Sequence, residues 1–528
     1  MSRGDYTLEI YDTTMRDGAQ GLGVNFTLED KIRISEKLDE LGVHFIEAGW
    51  PDSNRTDREY FKAVRNHRIG NAKITAFGRT RAAGTTPAKD TTLQSIVRAE
   101  PDAAAIYGKS WDEHVRHVIR VSRSENTDMI RGSIAFLKRK GLFVIYDAEH
   151  FFDGYASDAE FAIDTLKAAE DGGADRIVLC DTNGGRLPDF IGAAVEDVRG
   201  RIRVKLGIHA HNDSDLAVAN TIAAVKAGVV QVHGTINGYG ERAGNANLCS
   251  IIPNLVLKMG LECIPAEKVA LLSSVAKFVS ELANRPLEDN LPYVGRAAFT
   301  HKGGTHMDAM RKLPMAYEHV RPESVGNATR SVVSDVSGRA NVIHVAGQLG
   351  IDLSDNRDAV REILQELKEL GYGGYQFEGA AGSFELIVRK HTGSYKEFFQ
   401  LEGFKVVVDR RRGREIFSEA TIKVKVGDEE ELTVGEGNGP VDALNNALRK
   451  ALDRFYPGLR DMRLTDYKVR VLDERDGTAA AVRVLITSRD KSGFWGTVGV
   501  SGNVLDASWK ALVDSIEYKL LKDGVGKK

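Results

Sequence analysis

At 528 residues the chain is too long for one ordinary core, so two or three domains are expected. Hydrophobic residues at 42% and charged residues at 28% match a soluble globular protein. Lys plus Arg at 72 against Asp plus Glu at 75 leaves no electrostatic footprint for nucleic acid or an anionic membrane. The opening MSRGDYTLEI has no apolar signal core, and no later run is long enough to span a membrane. The three cysteines, Cys180, Cys249 and Cys263, lack CxxC spacing; this argues against disulfides and a structural zinc and suits a reducing cytoplasm. The single basic run, Arg410 to Arg414, reads as a solvated loop.

Along the first 260 residues, short apolar runs alternate with amphipathic segments. The runs cover 8–14, 44–50, 73–79, 103–108, 142–149, 176–182, 204–211 and 230–237. Between them, Thr27 with an acidic third position opens a helix that Gly42 closes. Further helical patterns at 129–140, 159–171 and 216–227 end at Gly141, Gly172 and Gly228. Eight β–α units in about 250 residues are the arithmetic of a (β/α)8 barrel, the TIM barrel. An open doubly wound sheet would place a Gly-rich phosphate turn after its first strand, and TTMRDGAQ is not one.

After about residue 270 the pattern changes: 266–285 and 357–370 look helical, while 295–304 and 371–382 are Gly-rich and irregular. From about 403 come three short strands and a helix, and the sequence then repeats that plan. Gly435, Asp442, Ala443 and Leu448 align with Gly499, Asp506, Ala507 and Leu512 at a constant offset of 64. The expected organisation is a catalytic barrel over 1–270, helical linker subdomains over 271–400, and a duplicated β-β-β-α module over 401–528.

Chemistry concentrates where strands end. His209 and His211 close the seventh strand and, two residues apart, point to the same face. Both imidazoles then project at the C-terminal rim of a barrel, where active sites lie. Asp17, just past the first strand, reaches the same rim and completes a two-His, one-carboxylate set open to Mg, Mn, Zn or Fe. Arg16 can present a planar fork to a carboxylate or keto oxygen, although a plain salt bridge would look the same. Glu149 and Thr182 end strands five and six at that rim. In NGYGERAGN the glycines do not have dinucleotide spacing; either they bring Asn245 toward the metal or they form an ordinary loop.

Three segments, YDTTMRDGAQ (11–20), GIHAHNDSDLAVANTIAAVKAG (207–228) and NGYGERAGNANL (237–248), resemble the metal-dependent isopropylmalate, homocitrate and citramalate synthase family. The duplicated module is similar to that family's regulatory dimer domain. YDAEHFFDGY (146–155), NDSDLAVANT (212–221) and FTHKGGTHMDAM (299–310) resemble the citramalate branch, and Asp215 stands where isopropylmalate synthases usually carry Gly. The resemblance implies Asp17, His209 and His211 as metal ligands with Asn245 beside them, and a divalent metal, Mg or Mn before Zn. It implies Arg16 as the group polarising a 2-keto oxygen, and Glu149 and Thr182 as holding the keto acid. It also implies His306 as a base delivered by a partner subunit, with Asp308 as a further catalytic residue and Tyr317 as a substrate-binding one. The implied reaction joins acetyl-CoA to pyruvate and hydrolyses the thioester, on the route to isoleucine, in a cytoplasmic homodimer with isoleucine as feedback inhibitor. An isopropylmalate synthase taking 2-oxoisovalerate is the alternative. Phe77, Arg79, Tyr107 and Asp147 are the candidates for the pocket wall that decides between them.

Overall fold

A computed structural model describes residues 8–302, 306, 309, 310, 312–332, 338–410, 416–472 and 480–525. They form two compact units, one of residues 1–299 with 318–328, the other of residues 300–317 with 329–528.

The first unit is the expected TIM barrel. Strands β1 (Glu9–Asp12), β2 (Phe45–Gly49), β3 (Lys73–Arg79), β4 (Ala103–Lys109), β5 (Phe143–Glu149), β6 (Arg176–Asp181), β7 (Leu206–Ala210) and β8 (Gln231–Gly234) run in order. All neighbours are parallel, and β8 pairs with β1 to close the barrel. Strands buried on both faces explain why the sequence shows continuous apolar runs rather than alternation. Ile10, Ile46, Ile106, Val144 and Ile208 join the large core with the surrounding helices. Tyr11, Phe45, Phe77, Ile145, Val178 and Cys180 form a second core inside the barrel.

Helix boundaries follow local chemistry. Thr27 caps Leu28–Leu41 in a reciprocal capping box with Asp30, and Gly42 ends it at φ 96°. The helix before Gly141 starts earlier than its periodicity suggests, at Arg123, because the Ser122 side chain accepts from the Glu125 N–H. The predicted helix over 266–285 divides into a 3-10 stretch, Ala266–Leu271, and an α-helix, Leu272–Leu282. Cys180, Cys249 and Cys263 are all free and buried. Among the described residues no helix is long and apolar enough to cross a membrane.

The second unit begins with a two-residue pairing of β9 (Thr300–His301) and β10 (Arg330–Ser331). Helices Arg339–Gln348, Arg357–Tyr372 and Ala381–His391 follow. The last begins inside the stretch expected to be irregular. Gly382 invited that reading, but it is a packing residue whose Cβ would lie 3.0 Å from the Gly496 carbonyl oxygen. Two antiparallel sheets then appear, β11 (Gln400–Asp409), β12 (Phe417–Val426) and β13 (Glu429–Gly437), and β14 (Arg463–Val471), β15 (Val482–Asp490) and β16 (Gly493–Ser501). Helices Pro440–Leu452 and Val504–Lys522 complete the two copies.

The duplication extends to single hydrogen bonds. Thr433 Oγ1 donates to the Ala447 carbonyl at 2.8 Å, and Thr497 Oγ1, 64 residues on, donates to the Ala511 carbonyl at 2.7 Å. Gly435 and Gly499 each sit against the following helix too closely for a Cβ, 2.3 Å from Ala447 N and 2.1 Å from Ala507 O. Of the basic run, residues 411–414 lie outside the described residues.

Candidate active site

The C-terminal rim of the barrel holds a cavity of about 620 Å³ lined by Arg16, Asp17, Glu149, Thr182, His209 and His211. These six residues come from the ends of β1, β5, β6 and β7, so the fold brings together what the sequence scatters over almost 200 positions.

Asp17 lies in a tight turn after β1, in which the N–H groups of Arg16, Asp17 and Gly18 all donate to the Thr13 carbonyl. Asp17 Oδ2 is 3.1 Å from His209 Nε2 and 3.9 Å from His211 Nε2, and the two Nε2 atoms are 3.2 Å apart. All three residues are buried. Asn245 approaches from the loop after β8, with its Nδ2 3.0 Å from Asp17 Oδ2, and its Oδ1 is buried with no hydrogen-bond partner. That approach depends on Gly240, whose Cβ would stand 2.0 Å from Asn245 Oδ1. Gly244, at φ 96°, likewise leaves no room for a side chain beside the Gly238 carbonyl.

This donor set fits a divalent metal. Two ligands each about 2.1 Å from one ion and at right angles lie about 3.0 Å apart, close to the His209–His211 separation. Two imidazole lone pairs that close need a proton or a cation between them. The titration of the two histidines says the same. Burial lowers His209, but the hydrogen bond and charge of Asp17 outweigh it and raise its pKa. Burial, with His209 next in importance, drops His211 to about 4 and leaves it neutral. Burial pushes Asp17 up, yet Arg16 and the two histidines hold it well below the usual carboxylate range.

Arg16 is fixed on three sides. Its Nε donates to Glu47 Oε2 at 2.5 Å, Nη1 lies 3.3 Å from Asp17 Oδ2, and the guanidinium covers the Phe77 ring at 3.8 Å. Burial would favour losing its proton, but Asp17 and Glu47 keep it charged. Glu47 also accepts from Tyr11 Oη at 2.6 Å and from Thr13 Oγ1. Glu149 pairs with Lys109 Nζ, and Thr182 Oγ1 accepts the His150 N–H at 2.8 Å. Phe77 and Tyr107 stack at 5.6 Å, with Trp50 edge-on to both, to form an aromatic wall. Asp147 also lines the cavity, and burial raises it to about 7. Arg79 turns away, donating to the Thr80 carbonyl at 2.7 Å and to Asp90 Oδ2 at 3.3 Å.

Glu47, Lys109 and Arg242 were not among the sequence candidates. Arg242 holds Asp213 and the Thr182 carbonyl, each with a contact of 2.7 Å, tying the ends of three strands together. An isolated acid inside an otherwise apolar strand, FIEAG, was the one signal that could have found Glu47. His306 and Tyr317 belong to the second unit, where their rings stack at 4.1 Å and 23°. Asp308 lies outside the described residues.

A parallel barrel with a buried Asp/His/His cluster and an adjacent arginine at its rim defines a class, and comparison with known proteins agrees. The HMGL-like family matches residues 7–277, the homocitrate synthase post-HMGL domain-like family 293–374, and the LeuA allosteric (dimerisation) domain 378–520. A (R)-citramalate synthase of Geobacter sulfurreducens is 52% identical over 98% of each chain. One from Streptomyces coelicolor is 42% identical over 99% of this chain and 98% of its own. A probable 2-isopropylmalate synthase of Methanopyrus kandleri is 31% identical over 96% of this chain and 97% of its own. The chain belongs to the HMGL-like family of metal-dependent enzymes, in its citramalate synthase branch.

Proposed function

We propose that the chain condenses acetyl-CoA with pyruvate and hydrolyses the thioester to give (R)-citramalate and CoA, a step toward isoleucine in the cytoplasm. Identity of 42–52% to several (R)-citramalate synthases along nearly the whole chain carries this reading over the 2-oxoisovalerate alternative. Asp17, His209 and His211, with Asn245 beside them, would hold Mg or Mn. Such an ion would supply Lewis-acid polarisation of the keto oxygen.

The chain's own groups do the rest. Arg16, locked by Glu47 and Asp17, donates to the keto acid where negative charge builds as the new carbon–carbon bond forms. Glu149 and Thr182 hold the acceptor in line. His306, from the partner subunit of a homodimer, takes a proton from the acetyl methyl group, with Tyr317 stacked on its ring and Asp308 nearby in sequence. The resulting enolate attacks C2 of pyruvate, the keto oxygen takes up a proton, and water then cleaves the thioester to release CoA. The module over 378–520 pairs two copies and receives isoleucine as inhibitor.

The test offers purified protein, a divalent metal and acetyl-CoA with pyruvate, 2-oxobutyrate, 2-oxoisovalerate or 2-oxoglutarate, and follows free CoA thiol. Release fastest with pyruvate is expected. Fastest release with 2-oxoisovalerate overturns the acceptor, and no release with any of the four overturns the condensation itself.

A further inference from the structure

The segment YDAEHFFDGY contributes Asp147 and Glu149 to the site and leaves His150 and Asp153 without a role. His150 follows Glu149 directly and takes a left-handed backbone, φ 56° and ψ 30°, a conformation unfavourable for a residue with a side chain. This turn aims the His150 N–H at Thr182 Oγ1, 2.8 Å away. The ring is buried, packed on His114 with centroids 4.3 Å apart, and its Nδ1 lies 3.0 Å from Asp153 Oδ2. The Asp153 carboxylate also accepts from Asn183 Nδ2 and from Arg186 Nη2, each at 2.8 Å, and both donors lie in the loop that follows Thr182.

We propose that His150 and Asp153 are positioning residues, a clamp that closes the β5 loop onto the β6 loop and fixes the separation of Glu149 from Thr182. The strained turn is held at one end by a backbone bond to Thr182 itself and at the other by a carboxylate shared with the residues after it. Two acceptor-holding groups from different strands otherwise move independently, and a misplacement of about 1 Å costs on the order of 100-fold in rate. The proposal rests on the reading that Glu149 and Thr182 hold the keto acid.

The test compares His150→Gly, which permits the left-handed backbone but removes the ring, with Asp153→Asn, each in the full-length protein. In both, the KM for pyruvate should rise about 10-fold or more, as for the loss of a supporting shell, while the KM for acetyl-CoA stays within about twofold. The double variant should be little worse than either single one, because the two residues act as one device. A pyruvate KM near wild type in His150→Gly overturns the clamp. So does an equal rise for both substrates with a fall in Tm, the mark of a merely structural role. Thr182→Val separates the two ideas. If it raises the pyruvate KM while His150→Gly does not, the clamp alone fails; if it leaves that KM unchanged, the acceptor-holding reading fails and the clamp with it.

Discussion

The barrel and the C-terminal module bury their sheets in opposite ways. Every barrel strand is covered on both sides, by helices outside and by Tyr11, Phe45, Phe77 and their neighbours inside. In the module, one helix covers a face of each three-stranded sheet, and Ala381–His391 packs on the opposite face of β16, while apolar side chains elsewhere on these strands stay exposed. Phe494 is 69% exposed, Leu432 66%, Val408 53% and Val469 45%. Scattered exposed apolar residues are ordinary, and a concentration of them on strands is the kind of surface that a partner can cover. The barrel therefore completes its own fold and its own cluster of Asp17, His209 and His211, whereas the module leaves apolar strand positions exposed and its sequence matches a dimerisation domain.

The sharpest way to break this contrast is at the cluster, where the barrel should need nothing from outside. Asp17→Ala and His209→Ala should each lower turnover by about 1,000-fold or more, as removal of a principal electrostatic group does. Both should keep a folded barrel, read by circular dichroism. Calorimetric titration with Mn should show binding to wild type and none to either variant. Because a ligand that binds only the native state adds about 2.7 kcal/mol at a hundred times its Kd, metal should also raise the Tm of wild type alone. Near-normal turnover in either variant would remove that residue from the ligand set.

The module makes the complementary prediction. Leu432→Lys combined with Phe494→Lys places charge at two exposed strand positions and should shift the protein toward monomer in light scattering at low micromolar concentration. If His306 acts across subunits, turnover should fall with the dimer. His306→Ala should be folded and nearly inactive, and mixing it with Asp17→Ala should restore part of the activity. Recovery follows because a mixed dimer carries one site with both Asp17 and His306 intact. No recovery on mixing, with subunit exchange verified, would put the base within one chain.

Legibility in the sequence also divides along this line. Strand order, the closed barrel and the pairing of His209 with His211 follow from apolar runs and from the two-residue period of a strand. The duplication is visible because each glycine at the strand–helix contact has a counterpart 64 residues away. What a side chain does by reaching to a neighbouring strand is not written locally. Glu47 and Lys109 are single charges at strand positions, and only the pairing of β2 with β1 and of β4 with β5 brings them to Arg16 and Glu149. Arg79 shows the converse, a plausible wall residue that Asp90 draws aside. Arg16 and His306 gained roles from family motifs, since an arginine at a strand end and a histidine in a Gly-rich stretch carry no distinctive period. The helix Ala381–His391 was hidden because a glycine chosen for close packing looks like one chosen for a turn.

The smallest expected effect distinguishes the two regions by pH. Asp514 and Glu517 lie on the last helix of the module, facing Ser383 and Tyr395, and burial raises them to about 6 and about 7. A carboxyl raised above its unfolded value favours the folded state fully below the unfolded value, near pH 4, and loses that advantage as pH climbs through the folded one. The module should therefore lose stability between about pH 4 and pH 7, by up to about 3 kcal/mol for each carboxyl at 1.36 kcal/mol per pKa unit. Glu517→Gln keeps an acceptor for the Tyr395 hydroxyl and removes one titration. Its melting temperature should fall less than that of wild type across this range. A wild-type melting profile flat from pH 4 to pH 7, or a variant whose slope equals wild type, would mean that water reaches the pair and that this module is no drier than its surface.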